Sequence, residues 1–183
     1  MTRTIIAIVL LTLASLAHAQ TTLSPARLTT ACTACKADTA CNTPRTGGNV
    51  GGVLTWLNGE RTPATLAWSK AASQVAVRQA PAYTSYDTLA TGKRDSWVLL
   101  LADPQDFSKA KTRNWVTDVW GSATAGSNAE AVLLAGTYNA TNLQNAIGGT
   151  LRTTGTVSAL DLAFVGLAAM GDAEWLVNPA NCQ

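Results

Sequence analysis

The sequence predicts an all-α fold: a single compact domain of about five or six helices, with a short extended or β element near residues 150–157. Three observations carry that expectation. Apolar residues recur at spacings of three and four through residues 106–121 and 127–147, the period of a helix with one buried face. Start and stop signals bracket these and other runs, namely Ser24-Pro25, Ser127 with Glu130, Gly121 and Gly148-Gly149. Strand-like alternation is weak and confined to the Thr-rich stretch Thr150 to Val157.

Each element follows from local chemistry. In Leu23-Ser24-Pro25-Ala26-Arg27-Leu28 the serine takes the N-cap and the proline the first helical position, where its missing N–H costs nothing. A helix is expected from about Pro25 to Ala37. Asn42 to Gly52, with Pro44 and two Gly-Gly pairs, reads as turn chemistry, and Val53-Leu54-Thr55-Trp56-Leu57 as a short helix stopped at Asn58-Gly59. Between Pro63 and Arg78, Leu66, Ala67, Val75 and Val77 fit neither period cleanly; a helix followed by a loop is expected there. Ser85 caps a helix between Tyr83 and Leu101 whose buried stripe is Leu89, Trp97, Leu100 and Leu101, with Thr91 to Asp95 facing water and Asp103-Pro104 ending it.

Asp106 or Ser108 starts the next helix, with Trp115, Val116, Val119 and Trp120 at helical spacing before Gly121 supplies a left-handed stop. Ser127-Asn128-Ala129-Glu130 has capping-box spacing, and Ala129, Val132, Leu133, Gly136, Ala140, Leu143 and Ile147 continue one apolar face to Gly148-Gly149. Ser158-Ala159-Leu160-Asp161 resembles an N-cap with an acid at N3, opening a last helix through Leu167.

The N-terminus reads as a secretory signal peptide over residues 1–19. Arg3 is its only charge, an apolar run from Ile5 to Leu11 follows, and Ala17-His18-Ala19 precedes Gln20. The apolar run falls short of the roughly 20 residues a spanning helix needs. Export to the periplasm or the extracellular space is the expected address. Cleavage after Ala19 leaves residues 20–183 as one domain, with 12 Lys and Arg against 11 Asp and Glu once Arg3 is gone. That near-neutral mixture, without a basic run or acidic tail, points to neither a nucleic-acid nor a membrane partner for the mature form.

Catalysis is not expected. His18 is the only histidine and lies within the signal peptide, so Ser-His-Asp and Cys-His nucleophiles and His-containing metal sites are excluded from a cleaved chain. Asp103 and Asp106 flank Pro104 with the spacing of a carboxylate pair, but helix termination and capping explain both. Ser69-Lys70 is adjacent in sequence, whereas a lysine-activated serine needs both groups on one face. No cofactor or metal is expected, and no catalytic residue is assigned.

Cys32, Cys35, Cys41 and Cys182 form a C-x2-C-x5-C cluster with one distant partner. In an exported chain an even count argues for disulfides. The pairing favoured joins one of Cys32 and Cys35 to Cys41 and the other to Cys182. A zinc ribbon would have a second C-x-x-C knuckle, which Cys182 lacks, and a redox C-x-x-C should follow a strand and open a helix. The six tryptophans are mostly core side chains of Ala-rich helices; an exposed pair of Trp115 and Trp120 would instead mark an interface. Asn139-Ala140-Thr141 matches a glycosylation acceptor.

The stretch Tyr86-Asp87-Thr88-Leu89…Lys93-Arg94-Asp95-Ser96-Trp97, followed by Asp106-Phe107-Ser108…Thr112-Arg113-Asn114-Trp115…Val119-Trp120-Gly121-Ser122, resembles a group of small, uncharacterised proteins of tailed bacteriophages and prophages encoded among the virion morphogenesis genes. Leu23 to Thr30, Leu57-Asn58, Ala67-Trp68 and the Thr/Gly-rich Gly149 to Gly155 extend the likeness over residues 23–170. The resemblance implies a non-catalytic virion structural protein, at the head–tail connection or in tail completion, with protein neighbours or self-assembly as its partners. The leader and the cysteines imply the alternative, an exported, disulfide-stabilised helical binding domain of a bacterium.

Overall fold

Ser24 and Pro25 start the first helix where the sequence places it, and α1 spans Pro25–Ala37. The computed structural model describes residues 22–102 and 104–183; the leader with His18, and Asp103, lie outside them. After α1 come α2 (Thr39–Thr46), α3 (Val50–Asn58), β1 (Leu66–Trp68), α4 (Gln74–Gln79), α5 (Tyr83–Asp87), α6 (Thr91–Leu100), α7 (Ala110–Trp120) and α8 (Asn128–Ala135). β2 (Thr137–Asn139), α9 (Asn142–Ile147), β3 (Gly149–Thr154), β4 (Val157–Leu162) and α10 (Met170–Val177) complete the described chain.

The all-α expectation of five or six helices is therefore overturned. Among the described residues, ten helices accompany a four-stranded mixed sheet of order β2-β1-β4-β3, which makes the fold an α/β mix. The described residues form two compact units, one made of the chain up to Gly59 with Gly166–Gln183, the other of Glu60–Val165.

The first unit is helical. α1 buries Leu28, Ala31, Cys32 and Cys35. The stretch expected as turn, Asn42 to Gly52, instead completes α2 and opens α3. Asp38 caps α2 by accepting from the Ala40 amide, and Asn49 caps α3 by accepting from the Gly52 amide, so two side-chain caps outweigh Pro44 and the glycines. α10, for which the sequence offered no separate signal, buries Ala173 and Leu176. Asn58 anchors the chain entering it, donating to the Ala168 carbonyl at 3.1 Å and accepting from the Ala168 amide at 2.8 Å.

In the second unit the sheet is built from residues distant in sequence. β1 pairs antiparallel with β2, through Leu66↔Asn139, Ala67↔Tyr138 and Trp68↔Thr137, and parallel with β4 at Ala67↔Leu160. β3 and β4 form an antiparallel hairpin from Gly149↔Leu162 to Thr154↔Val157. Ser158 to Asp161 is thus strand, correcting the helix expected through Leu167. Gly155, at φ 59, turns the hairpin where a Cβ would meet the Ala123 carbonyl.

The region expected as helix then loop is strand then helix, β1 and α4. The long apolar face from Ala129 to Ile147 is cut by β2. Gly136 ends α8 where any Cβ would run into the Phe107 ring, and Thr141 restarts the chain as α9 with a full capping box to Gln144. The hydrophobic centre of the unit joins Trp68, Phe107, Val116, Val119, Val132, Leu133 and Val157.

Arg113 on α7 locks that centre to the sheet. It is buried, its guanidinium lies 4.9 Å over the Trp68 ring, Nη1 donates to the carbonyls of Phe107 and Ser108, and Nε donates to Thr154 Oγ1. A cation in this position is held by carbonyl dipoles and an aromatic face, with the charges of Asp161 and Asp106 adding support from further off.

Candidate functional site

Part of the apolar surface that folding leaves uncovered gathers in one place, while Leu99, Leu134, Leu151, Leu167 and Met170 are exposed outside it. Val75, Tyr83 and Val98 are 64%, 84% and 58% exposed, and all three border a groove of about 1260 Å³ in the second unit. Its walls come from α4, the Ala80-Pro81-Ala82 link, α5, α6 and the first turn of α8. Trp97 lies at its base, nearly buried, with its ring edge-on to Trp120 at 5.2 Å between centroids.

Local chemistry sets each wall. Ser73 caps α4 by accepting from the Ala76 amide, which turns Val77 into the core and Val75 outward. Asn128 accepts from the Ala82 amide at 2.9 Å and ties the α4–α5 link to α8. Arg94 donates to the carbonyls of Leu89 and Asp87; these bonds hold the turn where the expected single helix from Ser85 breaks into α5 and α6. α6 then buries Trp97 and Leu100 and presents Val98 and Leu99 to solvent. The polar groups of the lining, among them Arg78 and Asp87, are of both signs, so the groove has no strong field to recruit a charged small molecule.

The first turn of α8 borders the groove. Ser127 accepts from the Glu130 amide at 3.1 Å, while the Glu130 carboxylate accepts from the Gly126 amide and the Thr156 hydroxyl, each at 2.6 Å. The Thr156 hydroxyl and then the Gly126 amide hold the Glu130 carboxyl below its ordinary value, against a smaller cost of desolvation.

The residues singled out from the sequence fall elsewhere. Cys35 is bonded to Cys41 and Cys32 to Cys182, so the structure chooses between the two pairings left open. All four are buried in the first unit. Trp115 and Trp120 are half-buried and packed against the core, not an exposed pair. The Trp120 indole N–H is buried with no hydrogen-bond acceptor among the described residues.

Asp106 is consumed in a turn. Burial raises its carboxyl, but hydrogen bonds from Ser108 and Lys109 and the Lys109 charge bring it below the ordinary value. Ser69 accepts from the Ala71 amide, and Lys70 is exposed. Asn139 is exposed on β2 and donates to Glu60, whereas the Thr141 hydroxyl is committed to capping α9. Among the described residues no three His, Cys, Asp or Glu side chains converge as a cation would require.

No family model, curated protein or solved structure matches this chain. Functional inference therefore starts from the geometry. The sequence missed the groove because its lining is spread from Gln74 to Ala131 over four helices. The signal available was negative: Val75 and Tyr83 are large apolar residues in segments where no amphipathic period accounts for them.

Proposed function

We propose that this chain is a non-catalytic, exported binding module that holds an apolar polypeptide segment in the groove lined by residues 74–131. The observation that carries the reading is the grouping of Val75, Tyr83 and Val98, exposed around a concave surface with a tryptophan at its base. Covering each such side chain is worth roughly 1.5–3 kcal/mol. Aromatic anchors seated in a desolvated pocket dominate protein–protein affinities.

Two disulfides are compatible with export, because such bonds persist in oxidising compartments. Among the described residues no helix is long and apolar enough to cross a membrane. The near-neutral charge favours a protein ligand over nucleic acid.

The test is a peptide selection against the oxidised full chain, counter-screened with Tyr83→Ala and Val98→Arg. Peptides with aromatic or aliphatic anchors should bind the native surface and lose at least about tenfold in affinity to V98R. Peptides that bind both proteins alike would remove the groove as the site. Intact mass with and without reduction, together with cell fractionation, tests export. A chain retaining residues 1–19, with four free thiols and recovered only in purified virions, would replace this reading with the virion role that the phage resemblance implies.

A further inference from the structure

We infer that β3 is a homodimerisation edge, and that two copies of this chain pair antiparallel through it with Arg152 of each reaching Asp161 of the other. β3 is the terminal strand of the sheet, and Gly149 to Thr153 are exposed, Leu151 at 63%. A six-residue edge without proline or lysine is an open template for another strand.

Which peptide groups face outward follows from Trp68. Its strand lies on the far side of β4, and its indole N–H donates to the Arg152 carbonyl at 3.2 Å, so that carbonyl is turned inward. Alternation along the strand then turns the peptide groups of Gly149, Leu151 and Thr153 outward. The described residues give these three no hydrogen bonds beyond the β3–β4 ladder.

A second copy of the same edge must pair about a two-fold axis normal to the sheet, which keeps matching faces together. The centred registers then place either Leu151 or Arg152 opposite itself. The second sets two guanidinium groups across from each other, which is unfavourable. The first pairs Leu151 with Leu151, each offering an outward N–H and C=O.

In that register Arg152 of one copy lies opposite Thr150 of the other, and Thr150 is already paired with Asp161. Cross-strand partners share a face, so Arg152, Thr150 and Asp161 line up. The Arg152 and Asp161 backbones are two strand spacings apart, roughly 10 Å, a span that an extended arginine and an aspartate close. Neither side chain makes an ion pair among the described residues, but both lie in the field of Arg113 of their own copy, so the incoming guanidinium would share a carboxylate that Arg113 already faces. The two-fold axis makes two such bridges.

Sedimentation analysis of the oxidised full chain over a range of concentrations tests this. The native chain should dimerise, Arg152→Glu and Asp161→Lys should each weaken the dimer about tenfold or more, and the double variant should restore it. Leu151→Pro removes an N–H that the internal ladder does not use, so it should abolish the dimer while thermal melting shows the fold retained. A monomer at every concentration would overturn the inference. So would a dimer indifferent to L151P, or an Arg152→Thr variant that associates more strongly, which would make Arg152 a guard of the edge.

Discussion

Asp172, buried in the first turn of α10, accepts two hydrogen bonds from Thr22, one from the amide at 2.9 Å and one from the hydroxyl at 2.6 Å. The Leu23 amide adds a third at 3.1 Å and the Ala169 amide a fourth at 2.8 Å. One carboxylate thus caps its own helix and fastens the segment entering α1. Asp172→Ala leaves the buried Leu23 amide and three part-buried donors without their acceptor and should cost about 1–3 kcal/mol. Asp172→Asn keeps one oxygen and should cost less. Urea denaturation of the oxidised protein measures both, and equal midpoints for native and D172A would show that the clamp contributes nothing.

The two disulfides should differ in weight because they close very different loops. Cys32–Cys182 spans 150 residues and Cys35–Cys41 spans 6. On chain entropy alone, removing the long bridge as Cys32→Ala/Cys182→Ala should cost about 5 kcal/mol, and removing the short one about 2 kcal/mol. Denaturant midpoints of the two double variants give the comparison. A larger loss from the short bridge would mean that native packing, not loop closure, sets its contribution.

What the sequence made legible was chemistry confined to a few neighbouring residues. Ser24-Pro25 places the start of α1, Gly121 ends α7 at φ 86, and Ser127 caps α8. Expectations failed where a local signal competed with a distant partner. Ser158 and Asp161 carry helix-capping spacing, but pairing with Thr153 and Thr150 across the Gly155 turn makes them strand. The face from Ala129 to Ile147 kept its period because Ala140 and Leu143 are buried as well. What broke it was the Phe107 ring against Gly136, a contact with a residue 29 positions earlier. The parallel pairing of Ala67 with Leu160 had no local trace at all.

Arg113 should be intolerant even of lysine. Its fork reaches two carbonyls and the Thr154 hydroxyl while its plane rests on Trp68, a geometry that an ammonium cannot reproduce. Burial lowers its pKa, yet an arginine stays charged at any pH the fold survives. Arg113→Ala strands two carbonyls and opens the space beside Trp68, so a loss of about 3–4 kcal/mol is expected. Arg113→Lys should recover less than half of it. Denaturation midpoints followed by tryptophan fluorescence test this directly, and a lysine variant as stable as native would reduce the site to a simple charge.

Glu130 gives the second unit an acid-sensitive fastening. The Thr156 hydroxyl ties α8 to the Gly155-Thr156 turn between β3 and β4, and the Gly126 amide ties it to the preceding loop. Both donors favour the ionised carboxylate and lower its pKa from 4.5. A carboxyl with a depressed folded pKa contributes stability that is present above its unfolded value and lost as pH falls through the folded one. Native protein should therefore melt above Glu130→Gln at neutral pH. The gap should begin to narrow near pH 4.5 and close below the folded pKa, where both side chains are neutral. Asp106, also held below its ordinary value, acts in the same direction at lower pH. E130Q should thus keep a residual acid transition that Asp106→Asn/Glu130→Gln flattens further. Melting curves collected from pH 7 downward decide the point, and a gap between native and E130Q that stays constant through acid would mean that packing around Glu130, not its charge, fastens the turn.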